Sequence, residues 1–435
     1  MPISLLAGRV ALVAAVVLLA GCGADGPGPA GPAPSGSDTG AGSAHRAWAY
    51  EYVSDADPVG NELLDIAAVS RREAWAVGML HAAGGSAPRM QMLRFDGSRW
   101  RRYDLASDLG DALDGGTLGS PTLHAGAGQA WLFARVVGGP GTSPAPIAAR
   151  FDGTRWRAVA PPAESGLTRV AVLGPADVWA LGNPGRRKAW HWDGHGWTAT
   201  RLPLEATALT TDTAGGDLRV AGNVPDPEAD KADASDPDHP KPHPLRLAAA
   251  RWDGRQWREE RMPDVATDDA EFPGCRTPVH TLVARGADDV WAMGIEYGPY
   301  TGTADAPPGD RPCALHWDGE RWSKSAALPA GVLDAGRVRG ENGEVRRIAR
   351  PPRVPGITGK LTEADRKQVF RLAEITPVPG TGEAWGVGTV GRGASGDANF
   401  SRAVIVRYRP QVVSERSLPG PDPVDPAPPS TRRNP

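Results

Sequence analysis

Asp177-Val-Trp-Ala-Leu-Gly182, followed shortly by Trp192-Asp-Gly-His-Gly-Trp197, is a two-part phrase that decides the fold. Its first half returns as Glu73-Ala-Trp-Ala-Val-Gly78, Gln129-Ala-Trp-Leu-Phe-Ala134, Asp289-Val-Trp-Ala-Met-Gly294 and Glu383-Ala-Trp-Gly-Val-Gly388. Its second half returns as Phe95-Asp-Gly-Ser-Arg-Trp100, Phe151-Asp-Gly-Thr-Arg-Trp156, Trp252-Asp-Gly-Arg-Gln-Trp257 and Trp317-Asp-Gly-Glu-Arg-Trp322. Self-similarity at a spacing of roughly 40–60 residues marks stacked supersecondary units. Such a repeat specifies a scaffold, so any chemistry must lie in what does not repeat.

One unit reads as four strands. Residues 167–173 alternate and end in a Gly-Pro-Ala-Asp turn; Val178 to Leu181 is a second strand closed by Gly182. Ala189 to Trp192 is a third, and Asp193-Gly194 is a hairpin signal because Gly tolerates positive φ. Trp197 to Leu202 is a fourth, stopped by Pro203. Four short antiparallel strands per repeat predict an all-β chain, a six-bladed β-propeller. Trp179 and Leu181 then face one neighbouring blade and Val178 the other. Trp75, Trp131, Trp179, Trp291 and Trp385 of the first half, with Trp100, Trp156, Trp197, Trp257 and Trp322 of the second, are read as packing residues between blades.

The fourth unit carries Arg219 where Trp is usual. The sixth ends in Arg-Tyr-Arg-Pro-Gln-Val-Val, with Val413 where the final Trp belongs. Trp48-Ala-Tyr-Glu-Tyr-Val53 looks like a fourth strand without the first three, so it is expected to close the sixth blade and cover its open edge. A seven-bladed count is the alternative; it needs a blade within residues 330–371, where neither half of the phrase occurs. Thr362 followed three residues later by Asp365 suggests a short capped helix there.

The N-terminus sets the compartment. Residues 1–21 hold Arg9 and an apolar run from Val10 to Ala20, the length of a signal-peptide core and too short to span a bilayer. Leu19-Ala-Gly-Cys22 resembles a bacterial lipoprotein lipobox. The resemblance implies cleavage before Cys22 and a diacylglyceryl anchor on its sulfur, on the outer face of the cytoplasmic membrane. Ordinary secretion with an incidental cysteine is the competing reading. Residues 22–45 are a Gly/Pro/Ser-rich tether, 46–419 the propeller, and 420–435 a proline-rich tail. Of the three cysteines, Cys275 and Cys313 remain after Cys22; an exported chain permits a disulfide, and the two are expected to pair. The competing reading is two free buried thiols.

The aromatic-Asp-Gly-x-x-Trp phrase resembles the Asp-box of sialidase-like propellers, and the fuller pattern resembles the repeats of kelch- and sialidase-like bacterial surface lipoproteins. The resemblance implies that Asp96, Asp152, Asp193, Asp253 and Asp318 cap turns and do no chemistry. It is nearly silent on activity.

The long connections are second-to-third within a blade or blade-to-blade, classes that emerge on one face of an antiparallel blade. That face is the expected ligand face. On it, Glu296, Tyr297 and Tyr300 could stack on a sugar or anchor a protein, and Arg347, Arg350 and Arg353 could meet an anion. The acidic stretch from Asp226 to His243 and the Asp108, Asp111, Asp114 series match no cation-cage spacing, so no metal or cofactor is expected. The formal charge of −3 implies no nucleic-acid partner. The function predicted is a membrane-anchored module binding an envelope protein or glycan. The alternative is a sialidase-like glycoside hydrolase or another propeller enzyme, for which no catalytic constellation is identifiable.

Overall fold

The computed structural model describes residues 17–18, 48–55, 60–80, 89–113, 116–138, 143–162, 167, 169–182, 187–211, 216–225, 245–263, 279, 281–296, 311–325, 332–333, 337–339, 345–348, 350–356, 359–392 and 400–409. Six four-stranded antiparallel sheets carry the repeat, and each is a blade. The first four strands of chain after Asn61 are Glu62–Ser70, Glu73–Leu80, Arg89–Phe95 and Trp100–Tyr103, blade one. Blade two is Thr117–Gly126, Gln129–Val137, Ala145–Phe151 and Trp156–Val159; blade three is Arg169–Gly174, Asp177–Leu181, Lys188–Trp192 and Trp197–Arg201. Blade four is Glu205–Thr211, Leu218–Pro225, Leu245–Trp252 and Trp257–Arg261; blade five is Thr281–Gly286, Asp289–Glu296, Arg311–Trp317 and Trp322–Ser325.

Blade six takes Val369–Pro377, Ala384–Arg392 and Phe400–Tyr408 from the C-terminal part and Trp48–Val53 as its outer strand. The expected closure is therefore present. Trp48 stands opposite Tyr408, as Trp197 stands opposite Trp192. The missing final Trp of the sixth repeat is supplied from the other end of the chain.

The core lies between blades. Trp75 packs on Phe151 and Trp156 at 4.7 and 5.1 Å. Trp131 packs on Trp192 and Trp197 at 5.6 and 5.9 Å, and Trp179 on Trp252 and Trp257 at 4.9 and 5.5 Å. Trp385 reaches Phe95 and Trp100 at 5.1 and 5.4 Å, closing the ring from blade six to blade one. Each second-strand Trp thus inserts between the paired aromatics of the following blade, in the tilted and edge-on geometries favoured by ring quadrupoles. Trp179 and Leu181 share a cluster with blade four, and Val178 joins one with blade two, as their alternation requires.

Two junctions depart from this rule. In blade four Arg219 replaces the Trp, and its guanidinium lies over Trp317 of blade five at 4.6 Å. Between blades five and six, Trp291 is half-buried and stacks on His316 of its own blade at 4.3 Å. There the connecting segment covers blade six: Ile348 joins Trp48, Ile375 and Tyr408, and Val354 joins Val390, Phe400 and Val404. This segment also holds three strands of a small sheet, Val332–Leu333, Arg337–Arg339 and Val345–Arg347, with Val17–Leu18 from the N-terminal stretch paired at its edge. Its strands of two or three residues lack the repeat phrase, so the count of blades stays at six. Thr362 and Asp365 form the expected cap: the Thr362 amide and hydroxyl both donate to Asp365 Oδ2, at 2.6 and 2.9 Å. The helix they start, Glu363–Lys367, is of the 3₁₀ type.

The Asp-Gly turns behave as the resemblance implies. Asp193 Oδ1 accepts the amides of His195 and Gly196 at 2.8 and 2.9 Å, and Asp96, Asp152, Asp253 and Asp318 repeat the arrangement. The five glycines have φ between 92° and 98°, a region closed to most side chains. The blade-to-blade connection that carries Asp108 and Asp111 is not a plain loop: it forms the helix Leu105–Leu113, and blade two begins at Thr117. Asp108 is engaged by protein donors there. Its Oδ2 accepts the Tyr103 hydroxyl at 2.6 Å and the Trp156 amide at 2.8 Å, because Leu105 and Leu109 bury the helix against the blade one–two core.

Candidate functional site

The innermost strand of each blade lines the axis, and the pairing registers define a ring of residues at one level. Counting four residues on from the start of each second-strand phrase gives Val77, Phe133, Leu181, Ala221, Met293 and Val387. Their inner-strand partners are Asp65, Thr122, Arg169, Ala208, Thr281 and Glu374. Two carboxylates from adjacent blades and one guanidinium therefore share one level of the axis.

A backbone device places the acids. The register of blade one slips between Leu63 and Asp65, and that of blade six between Leu372 and Glu374. Each slip is a β-bulge, which re-aims the following side chain. The bulge presses on Gly78 and Gly388, where an added Cβ would overlap the carbonyl oxygens of Glu62 and Arg371. The last glycine of the repeat phrase is thus required by the bulge across from it. After the bulge, Asp65 Oδ1 accepts its neighbour Ile66 N at 2.7 Å, and Glu374 Oε1 accepts Ile375 N at 3.1 Å. Asp65 Oδ2 crosses to blade two and accepts Leu123 N at 2.8 Å.

The electrostatics of the ring are shifted. Enclosure by protein, and then the charge of Glu374, push Asp65 up to about 8 despite its two backbone donors. Enclosure likewise raises Glu374, with Arg169 opposing. His124, two residues beyond the ring residue Thr122 on blade two, is pushed down to about 4 by enclosure and by Arg169. All four side chains keep part of their surface open, as expected of groups lining an axial passage.

A second set lies towards the end of the short turns. Asp177 accepts Trp179 Nε1 and meets His191 Nε2, both at 2.9 Å, and His191 stacks on Trp179 at 4.3 Å. Asp289, Trp291 and His316 repeat this at 2.7, 2.9 and 4.3 Å. In blades one and six an arginine takes the place of histidine. Arg94 bonds Glu73 at 2.9 Å and lies over Trp75 at 5.1 Å; Arg407 bonds Glu383 and lies over Trp385 at 4.6 Å. The sequence carried this signal unread: a cationic or imidazole residue, Arg94, Arg150, His191, Arg251, His316 or Arg407, immediately precedes the third-strand aromatic in every blade. In blade four Arg251 pairs with Asp217, which also binds Arg219 Nε at 2.7 Å, and Arg219 Nη1 reaches Glu260 at 3.2 Å. These groups lock strands together.

The sequence-derived ligand candidates are not brought together by the described residues. Glu296 ends the second strand of blade five opposite Arg311, and Arg347 ends the small sheet. Arg350 and Arg353 are exposed on the segment over blade six. Cys313 stands opposite Gly294. Tyr297, Tyr300, Cys275 and Cys22 lie outside the described residues, as do the acidic stretch 226–244 and the tail. Among the described residues no three His, Cys, Asp or Glu side chains gather as a metal site. No described helix is long and apolar enough to cross a membrane.

No protein-family model matches the chain, and no curated protein does. Among solved structures it is similar to YCF48 from Cyanidioschyzon merolae, at 12% identity over 83% of this chain and 99% of that one, with a TM-score of 0.38. The six-bladed fucose-recognising lectin of Aleuria aurantia is 15% identical over 63% of this chain and 80% of its own, with a TM-score of 0.35. The β-propeller domain of the Trilobed protease from Pyrococcus furiosus is 9% identical over 77% and 93%, with a TM-score of 0.40.

Proposed function

We propose that this protein is exported, anchored by a diacylglyceryl group on Cys22 to the outer face of the cytoplasmic membrane, and binds an envelope protein or glycan on one end of its propeller. The observation that carries the binding reading is the polarity of the disc. In an antiparallel four-stranded blade the first-to-second and third-to-fourth turns share one end. There four blades spend only two residues, 71–72, 127–128, 175–176 and 287–288, blades four and six spend six, 212–217 and 378–383, and the Asp-Gly turns are also short. The long connections, 81–88, 138–144, 226–244, 297–310 and 326–368, all leave the other end. Long loops on a rigid scaffold are where binding surfaces are built.

A hydrolase is the second reading, favoured by the carboxylate pair Asp65 and Glu374 with Arg169 on the same level. Against it, both oxygens of Asp65 accept backbone amides, so this carboxylate ties blade one to blade two and is poorly placed to attack or protonate a substrate. The test is a pull-down from envelope extract with the protein lacking its lipid, beside labelling of the intact protein with radioactive palmitate. Specific retention of one protein or glycan, and label lost in Cys22→Ser, are expected. Release of reducing sugar from envelope glycans, abolished in Glu374→Gln, would instead favour the hydrolase.

A further inference from the structure

We propose that the groove on the rim between blades three and four is a carbohydrate site that takes a single pyranose ring, independent of the long-loop face. The groove holds about 400 Å³ and is lined by Thr200, Arg201, Trp252, Arg255, Gln256 and Trp257, with Leu202 and Pro203 at one end. That volume falls in the range of small-molecule sites. Its composition is specific in kind. Half-buried Trp252 and buried Trp257 give an aromatic floor; exposed Arg201, Arg255 and Gln256 give planar donors and an amide acceptor around it. A sugar ring presents both an apolar C–H face and a rim of hydroxyls, and indole with guanidinium and amide answers each.

The groove is built, and its walls are fixed. Trp257 Nε1 crosses from blade four and donates to Thr200 Oγ1 of blade three at 3.1 Å. Trp252 is held against Trp179 and Trp257 at 4.9 and 5.5 Å. The turn that carries Arg255 and Gln256 is pinned by their amides on Asp253 Oδ1, at 2.9 and 2.8 Å. A site whose aromatic floor and polar arm are already positioned loses little conformational freedom on binding.

The corresponding junction between blades one and two is closed by the chain itself. The helix Leu105–Leu113 packs on the fourth strand of blade two, and Asp108 accepts the Trp156 amide. Blades three and four are joined by Leu202-Pro203-Leu204 alone, too short to place a helix, so among the described residues no connecting element covers the groove.

The test uses the intact protein in detergent on a glycan array, followed by competition with methyl glycosides of the retained sugars and tryptophan fluorescence on titration. Truncating exposed side chains at 255 and 256 spares the turn, because the backbone amides hold it; an unchanged melting midpoint checks this. Retention of a glycan that weakens at least about tenfold in Arg255→Ala or Gln256→Ala, but not in Arg155→Ala at the helix-filled junction, is expected. Array binding that neither Arg255→Ala nor Gln256→Ala changes, or no glycan retained at all, overturns the proposal.

Discussion

Trp48 and Tyr408, from opposite ends of the chain, form the pair that elsewhere sits on a single Asp-Gly hairpin. Their ring centroids are 5.8 Å apart at 60°, against 5.7 Å at 52° for Trp192 and Trp197. Both are almost wholly buried. Closure of the disc therefore depends on a contact with no local turn to enforce it. Trp48→Ala is expected to cost about 3–5 kcal/mol, the range for a large aromatic removed from a core, and to release the outer strand. Urea unfolding with hydrogen exchange at Phe400–Tyr408 measures it; Trp197→Ala should leave exchange on that strand unchanged.

Arg219 is 1% exposed and Asp217 1%. Breaking a buried charge pair from one side costs about 3–5 kcal/mol, whereas replacing it by well-packed apolar groups is often neutral or stabilising. Asp217→Ala is expected to destabilise by that amount. The double replacement Asp217→Ala with Arg219→Trp, which restores the aromatic of the other blades, should recover most of the loss. Chemical denaturation of the three proteins gives the comparison.

Stability should fall as pH rises through the window set by Asp65. Its folded value lies near 8 against an ordinary 3.8, so above the unfolded value the native state binds more protons than the unfolded one, and each step up in pH favours unfolding. His124, depressed to about 4 from 6.5, acts oppositely, and its contribution is complete above 6.5. Between pH 6.5 and 8 the carboxylates act without it. Melting temperatures across that window should decline, and Asp65→Asn should flatten the slope while lowering stability overall, because an amide has one acceptor oxygen where Asp65 accepts two backbone amides. A slope unchanged by Asp65→Asn would refute the assignment.

Gly78→Ala forces a Cβ onto the bulge at Glu62 and Leu63, and backbone cannot yield as a side chain can. A loss of about 1–3 kcal/mol is expected. Gly128→Ala, with φ of 74° but nothing near the added atom, should cost only about 1 kcal/mol. Thermal unfolding of both separates steric overlap from backbone strain.

The phrase of Asp177 to Trp197 by itself determined the strand order and the blades, because alternation and Asp-Gly turns are local. The turn-capping aspartates came from the resemblance to an Asp-box, and the tryptophans pack between blades except Trp291, which stacks on His316 of its own blade. It also foretold that Trp48–Val53 closes blade six, since a lone strand and a blade lacking its last Trp complement one another. The helix Leu105–Leu113 escaped notice because its apolar face, Leu105 and Leu109, is short and answers only to the blade one–two core. The axial ring was not legible at all. Asp65, Arg169 and Glu374 lie far apart in sequence, in strands whose bulges shift each register, and only stacking of the blades brings them to one level. Their charge states follow from the same fact: a carboxylate's pKa is set by the water it has lost and the charges it has met, and tertiary packing alone decides both.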